Sequence, residues 1–226
     1  MSEFERVIGY NFKNRALLKQ ALTHSSVGSS FCNERMEFLG DSVLSIVVAR
    51  YLYDNLPHQP EGDLTKLRSN LVCEDALYNY AKKIGLGERL ALSKGEENTG
   101  GRDRKSILSD AFEALIAAIY LDSGADGIER AKAFIVPFLP DNRKLKSGKL
   151  AVVGDYKTIL QELVQKNADS TINYELVNEV GAAHQKVFFT NVVINGKVEG
   201  AGSGHSKKEA SQQAARAALL KRGYEV

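Results

Sequence analysis

Residues 33–53 read NERMEFLGDSVLSIVVARYLY, and the fold class turns on this stretch. Its apolar residues recur at three-to-four spacing, the mark of a helix, and that period puts Glu34, Glu37 and Asp41 on one face. Three like charges so placed repel one another. Glu34, just after Asn33, reads equally as a first-turn acid facing the helix dipole. Asp41, after Gly40, reads equally as the start of a new helix.

The same period runs outward through ALLKQALTH (16–24), ERMEFLGDSVLSIVVARYLYDN (34–55), EGDLTKLRSNLVCEDALYNYAKKIG (61–85) and SILSDAFEALIAAIYLDSG (106–124). Gly85, Gly87, Gly124 and the pair Pro57 and Pro60 punctuate it. Residues 1–140 are therefore expected to form an all-α domain. PDNRKLKSGKLAVVGD (140–155) breaks the pattern with lysines, glycines and turn formers, so 141–154 is expected to be a flexible linker.

From 155 the pattern differs. DYKTILQELVQK is a short amphipathic helix, while INYELVNEV (172–180) and KVFFTNVVI (186–194) have strand character. Asn195-Gly196 predicts a two-residue type I′ turn into KVEGAGSG. SKKEASQQAARAALLKR closes the chain as a helix. Residues 155–226 thus form an α+β domain of order α-β-β-β-α, two helices on one face of an antiparallel sheet. The fold class is multidomain, all-α then α+β.

Composition excludes several classes. Of 226 residues 43% are hydrophobic and 26% charged, ordinary values for a globular protein. No run of about 18 apolar residues occurs, so no membrane span is expected. The start, MSEFERVIGYNFKNR, is too polar for a secretory leader. Cys32 and Cys73 fit neither a metal knuckle nor a disulfide framework, which predicts a reducing, cytoplasmic setting. None of the four histidines has zinc-ligand spacing. Charge is uneven: residues 1–140 hold 17 Lys+Arg against 19 Asp+Glu, and 141–226 hold 13 against 9. The basic tail hints at a polyanion partner.

Acids intrude on a second apolar run. From Ala111 to Leu121 nearly every residue is apolar, yet Asp110 and Glu113 lie at i,i+3. A buried carboxylate costs several kcal/mol unless paired or metal-bound. Asp110 could cap the helix; capping cannot explain Glu113. Acids at i,i+3 or i,i+4 on two helices favour a shared cation site. Hard oxygen ligands suit Mg²⁺, with Mn²⁺ as a substitute. Four carboxylates balance two divalent ions, the apparatus of two-metal phosphoryl transfer.

NERMEFLGDSVL resembles the signature of the ribonuclease III family, endonucleases specific for double-stranded RNA. ALTHSS (21–26), EGDLTKLRSNLV (61–72), GGRDRKSILSDAFEALIAAIYLDSG (100–124) and the C-terminal unit share the likeness, which spans essentially the whole chain in the bacterial two-domain arrangement. The resemblance implies a metal-binding core of Glu37, Asp41, Asp110 and Glu113, with Asp41 and Glu113 catalytic. Glu34 and Glu61 match supporting acids. Phe38 matches an aromatic seated in the partner subunit of a homodimer, although core packing would account for it as well. Arg102, Arg104 and Lys105 are phosphate contacts or an ordinary solvated basic run.

The C-terminal unit resembles a double-stranded RNA-binding domain. Ser206 is a good N-cap and Glu209 completes a capping box. Lys207 and Lys208 then oppose the helix dipole. A docked phosphate backbone would reverse that cost; otherwise they are solubilising lysines. The resemblance assigns Gln161 and Glu162 to 2′-hydroxyls in one minor groove and His184 to the next. Singly these are plain surface and loop residues.

The expected function is hydrolysis of both strands of double-stranded RNA by a metal-activated water. By resemblance this leaves 5′-phosphate and 3′-hydroxyl ends with a short 3′ overhang, in rRNA and mRNA precursor processing and RNA decay. An inactive RNA-binding relative is the first alternative, and the buried Asp110 and Glu113 argue against it. A phosphohydrolase of small nucleotides is the second, opposed by the RNA-binding unit.

Overall fold

A computed structural model of the chain describes residues 2–28, 30–141, 145, 156–165, 170–182 and 186–224. The expected linker, apart from Asp141 and Leu145, lies outside them, as does His184. The chain divides into two compact units, Met1–Asp141 and Asn142–Val226.

The first unit is helical: α1 (Glu3–Ile8), α2 (Arg15–Ala21), α3 (Glu34–Asn55), α4 (Glu61–Leu71), α5 (Glu74–Lys83), α6 (Lys94–Asn98), α7 (Lys105–Asp122) and α8 (Gly127–Ile135). Helix α7 is the axis of the unit. Ala111, Phe112 and every residue from Ala114 to Ile119 are buried, with α2, α3, α5 and α8 packed around them. An apolar run this long can stay dry only when surrounded. Phe112 joins Tyr80, Phe134 and Phe138 in an aromatic cluster with ring centroids 5.3–5.8 Å apart.

Helix α3 crosses α7 at Gly40. A Cβ there would sit 1.9 Å from the carbonyl oxygen of Glu113, so only glycine permits this approach. The helix runs unbroken through Gly40, so Asp41 opens no new helix; the glycine serves packing. Asp110, in the second turn of α7, is not its cap. The periodic stretch 61–85 is two helices, parted at Val72 and Cys73, where Cys73 takes extended backbone before the acidic first turn of α5.

The start of the chain is tied to the far end of α7. Asp122 accepts hydrogen bonds from the amides of Lys13 (2.9 Å) and Asn14 (2.7 Å) and from the Tyr10 hydroxyl (2.8 Å). Glu5, only 1% exposed, accepts the amides of Ser2 and Phe12.

The second unit is α9 (Tyr156–Gln165), β1 (Ile172–Val180), β2 (Val187–Ile194), β3 (Lys197–Gly204) and α10 (Lys207–Lys221), an antiparallel sheet of order β1-β2-β3. Both residues of the turn between β2 and β3 have positive φ, Asn195 at 50° and Gly196 at 75°, as a type I′ turn requires. Tyr156, Leu160 and Val164 of α9 and Ala214, Ala215, Ala218 and Leu219 of α10 form one core with Val192 and Ile194 of β2. Alanines on α10 face glycines on β3: a Cβ on Gly202 would lie 2.2 Å from the Ala214 amide nitrogen. Small residues on both surfaces let helix and strand nearly touch.

Candidate metal centre and RNA-facing surface

Helices α3 and α7 cross where their acids lie. Glu37, Asp110 and Glu113 each offer a carboxylate oxygen, and these oxygens are all within 4.8 Å of one another. All three side chains are half-buried. Burial raises the Glu37 carboxyl above its ordinary value, and Asp110, Glu34 and Asp41 push the same way. Burial likewise raises Asp110; the Ser109 hydroxyl and the charge of His24 oppose the rise, and Glu74 adds to it. Glu113 is pushed up to about 8, first by burial and then by Asp41, Glu37 and Asp110. Among the described residues the charges that act on Glu37 and Glu113 are negative, so packing holds these acids together against their own repulsion. An all-oxygen, anionic donor set half-buried in this way fits a hard divalent cation.

The other acids expected at the site stand apart from this cluster. Asp41, one turn beyond Glu37, is exposed and outside the three-carboxylate group, though its charge reaches Glu37 and Glu113. Hydration and like-charge repulsion both favour that position for a side chain with access to water. Glu34 is exposed in the first turn of α3, with the Cys32 thiol 3.7 Å away. Glu61 opens α4 and accepts the Thr65 hydroxyl at 2.8 Å, again outside the cluster.

His24 and Glu74 act on Asp110 without any sign in the sequence spacing. The segment bearing His24 is stapled to residues 91–93: Thr23 bridges Ala91, the His24 amide donates to the Ala91 carbonyl, and the Ser93 amide donates to the Ser26 hydroxyl. His24 Nδ1 in turn accepts the Ser26 amide. The side chains of the basic run all make bonds within the unit. Arg102 bonds Glu97 and the carbonyls of Gly87 and Leu90, Arg104 pairs with Glu96, and Lys105 pairs with Asp75.

Phe38 is 79% exposed, so it is not a core residue. Ile46 and Tyr53, eight and fifteen positions further along α3, are exposed on the same side. A row of large apolar residues left in water marks an interaction surface.

On the second unit, Gln161 and Glu162 are exposed on α9. Ser206 caps α10 by accepting the Glu209 amide at 3.1 Å. The Glu209 carboxylate reaches back to the His205 amide, one residue earlier than a strict capping box, at 2.7 Å. Lys207 and Lys208 occupy the first two helical positions and are exposed.

Acids gathered on two crossing helices, joined in one chain to an α-β-β-β-α unit with lysines at a helix start, define a two-part enzyme of nucleic acids. The Ribonuclease-III-like family model matches residues 14–141 and the double-stranded RNA binding motif matches 156–222. The chain belongs to the ribonuclease III family of endoribonucleases. It is 51% identical to Ribonuclease 3 of Clostridium beijerinckii over 225 residues, 97% of this chain and 94% of that protein. With Ribonuclease 3 of Clostridium botulinum it shares 49% identity, covering 99% and 97% of the two chains. The nuclease domain of ribonuclease III from Campylobacter jejuni superposes with a TM-score of 0.57 at 45% identity, covering 60% of this chain and 92% of that domain. That domain has structural flexibility in a region involved in dimer formation. No helix among the described residues is long and apolar enough to cross a membrane.

Proposed function

We propose that the chain hydrolyses phosphodiester bonds in both strands of double-stranded RNA with Mg²⁺, or Mn²⁺ in its place. The observation that carries this reading is the convergence of Glu37, Asp110 and Glu113 within 4.8 Å. These three would hold the metal, with Asp41 as the fourth carboxylate; Asp41 and Glu113 are the catalytic residues, and Glu34 and Glu61 support them. When bound, the ions would acidify water and neutralise charge building at the phosphate and the departing 3′-oxygen. The protein's own contribution is preorganisation: the close crossing at Gly40 fixes the acids before substrate arrives.

Attack by water leaves the 2′-hydroxyl outside the chemistry, so selection for RNA falls to the second unit. Gln161, Glu162 and His184 would meet 2′-hydroxyls in the minor grooves, and Ser206, Lys207 and Lys208 the phosphates between them. Two strands call for two sites. The exposed row Phe38, Ile46 and Tyr53 supports a homodimer through the first unit. The expected products carry 5′-phosphates and 3′-hydroxyls with a short 3′ overhang. Processing of rRNA and mRNA precursors and RNA decay, in the cytoplasm, are the roles this chemistry suits.

Glu113→Gln tests the assignment. The variant should bind a duplex as wild type does and lose Mg²⁺-dependent cleavage by about a thousandfold or more. In EDTA at about pH 9, where Glu113 of wild type is ionised, the variant should also melt at a higher temperature, because a buried charge and its repulsion by neighbouring carboxylates are gone. Cleavage at the wild-type rate would sink the metal assignment.

A further inference from the structure

One end of the sheet in the second unit gathers charge around an aromatic ring. The register sets Glu179 of β1 directly opposite Phe188 of β2, and Gly204 of β3 opposite it on the other side. Helix α10 begins beside this point: a Cβ on Gly204 would meet the Glu209 side chain at 2.6 Å. Two ammonium groups converge on the Phe188 ring, Lys186 Nζ at 5.7 Å from its centroid and Lys207 Nζ at 6.0 Å. Lys186 also pairs with Glu179 at 2.8 Å. The hydrogen bond from Lys186 holds the Glu179 carboxyl below the usual range, and the charges of Lys186 and Lys207 add to that. One carboxylate therefore serves two lysines gathered on one ring.

Lys207 belongs to the helix start assigned above to RNA phosphate, whereas Lys186 has no role so far. We propose that Lys186 is a further contact to the RNA backbone, and that Glu179 stands in for a phosphate, engaging the lysines until a duplex displaces it. This rests on the duplex-binding reading of the second unit. The Lys186 and Glu179 side chains are 37% and 44% exposed, and an ion pair so open to water is weak. A duplex backbone, with its dense charge and its release of condensed counterions, is the stronger partner. Phe188 holds both ammonium groups through cation–π attraction without neutralising them, so they stay positioned during the exchange. Glu179 then sets a threshold: scattered anions fail to displace it, and a regular array of phosphates succeeds.

The test is binding of the full-length protein to a labelled RNA duplex in EDTA, which prevents cleavage, at several salt concentrations. Glu179→Gln and Glu179→Ala should each bind about threefold to tenfold more tightly than wild type. Lys186→Ala should bind more weakly, with the slope of log K against log salt smaller by about one. Adding Glu179→Gln to Lys186→Ala should recover less than half of the single variant's gain, because the two residues act on each other. Failure of wild type to bind the duplex would remove the duplex-binding reading itself. Normal wild-type binding with unchanged or weaker binding by both Glu179 variants would overturn this proposal alone.

Discussion

Glu5 and Glu113 are both acids set into the helical unit, yet their surroundings move their protons in opposite directions. Glu113 meets burial and three other carboxylates, so its neutral form is favoured and the carboxyl rises to about 8. Glu5 meets backbone amides: hydrogen bonds from Ser2 and then Phe12 favour its charged form and hold it at about 2, against an ordinary 4.5. A carboxyl depressed on folding stabilises the folded state above its unfolded value, and that contribution is lost as pH falls. The window runs from 4.5 down to about 2. In urea titrations across that window, the wild-type midpoint should therefore drop more steeply than that of Glu5→Gln. The variant should be the less stable protein at pH 7, and parallel curves would deny Glu5 this part. The same contrast separates function from structure. Glu5 is satisfied by its own fold, whereas Glu113 is opposed by its neighbours.

Among the elements, the crossing of α3 and α7 carries the most consequence. Gly40→Ala puts a methyl group into the backbone of Glu113, and no side-chain rotation can relieve that overlap. The helices must separate, at a cost of about 2 kcal/mol. Because acids lie on both sides of the crossing, a shift of about 1 Å would lower cleavage by about a hundredfold at temperatures where the variant is still folded. Thermal melts paired with cleavage assays measure both effects, and wild-type values in each would dismiss the crossing as a positioning device. Legibility follows the same lines. The ends of α3 and the extents of β1 and β3 are marked by strong periods and by the Asn195-Gly196 turn, so they are visible in the residues. Helices α1 and α6, six and five residues long, are too short to establish a period. The break between α4 and α5 hides because both helices continue the same apolar spacing. Glu37, Asp110 and Glu113 declare themselves as acids misplaced in apolar helices. His24 and Glu74 do not, since each acts on Asp110 through its charge across the fold, which local spacing cannot encode.

At the scale of the whole molecule, the exposed row on α3 leaves the first unit with an apolar surface that water disfavours. Phe38 is its most exposed large residue. In sedimentation experiments at micromolar concentration, wild type should behave as a dimer and Phe38→Ala should dissociate about a hundredfold more readily, the cost of truncating a seated aromatic. An unchanged association constant would assign the assembly to some other surface.

The tie between Asp122 and the amides of Lys13 and Asn14 spans up to 109 positions of chain. During synthesis, at roughly 5–20 residues per second, Lys13 emerges about 5–20 s before the carboxylate that holds it exists. Residues 10–14 of a newly made chain thus wait without the Asp122 anchor until α7 is complete. A stall in translation before residue 122 would leave that segment without its anchor and open to proteases, while in a finished chain Asp122 pins it in place. In this protein Lys13 and Asn14 gain their side-chain anchor only after more than a hundred further residues have been made.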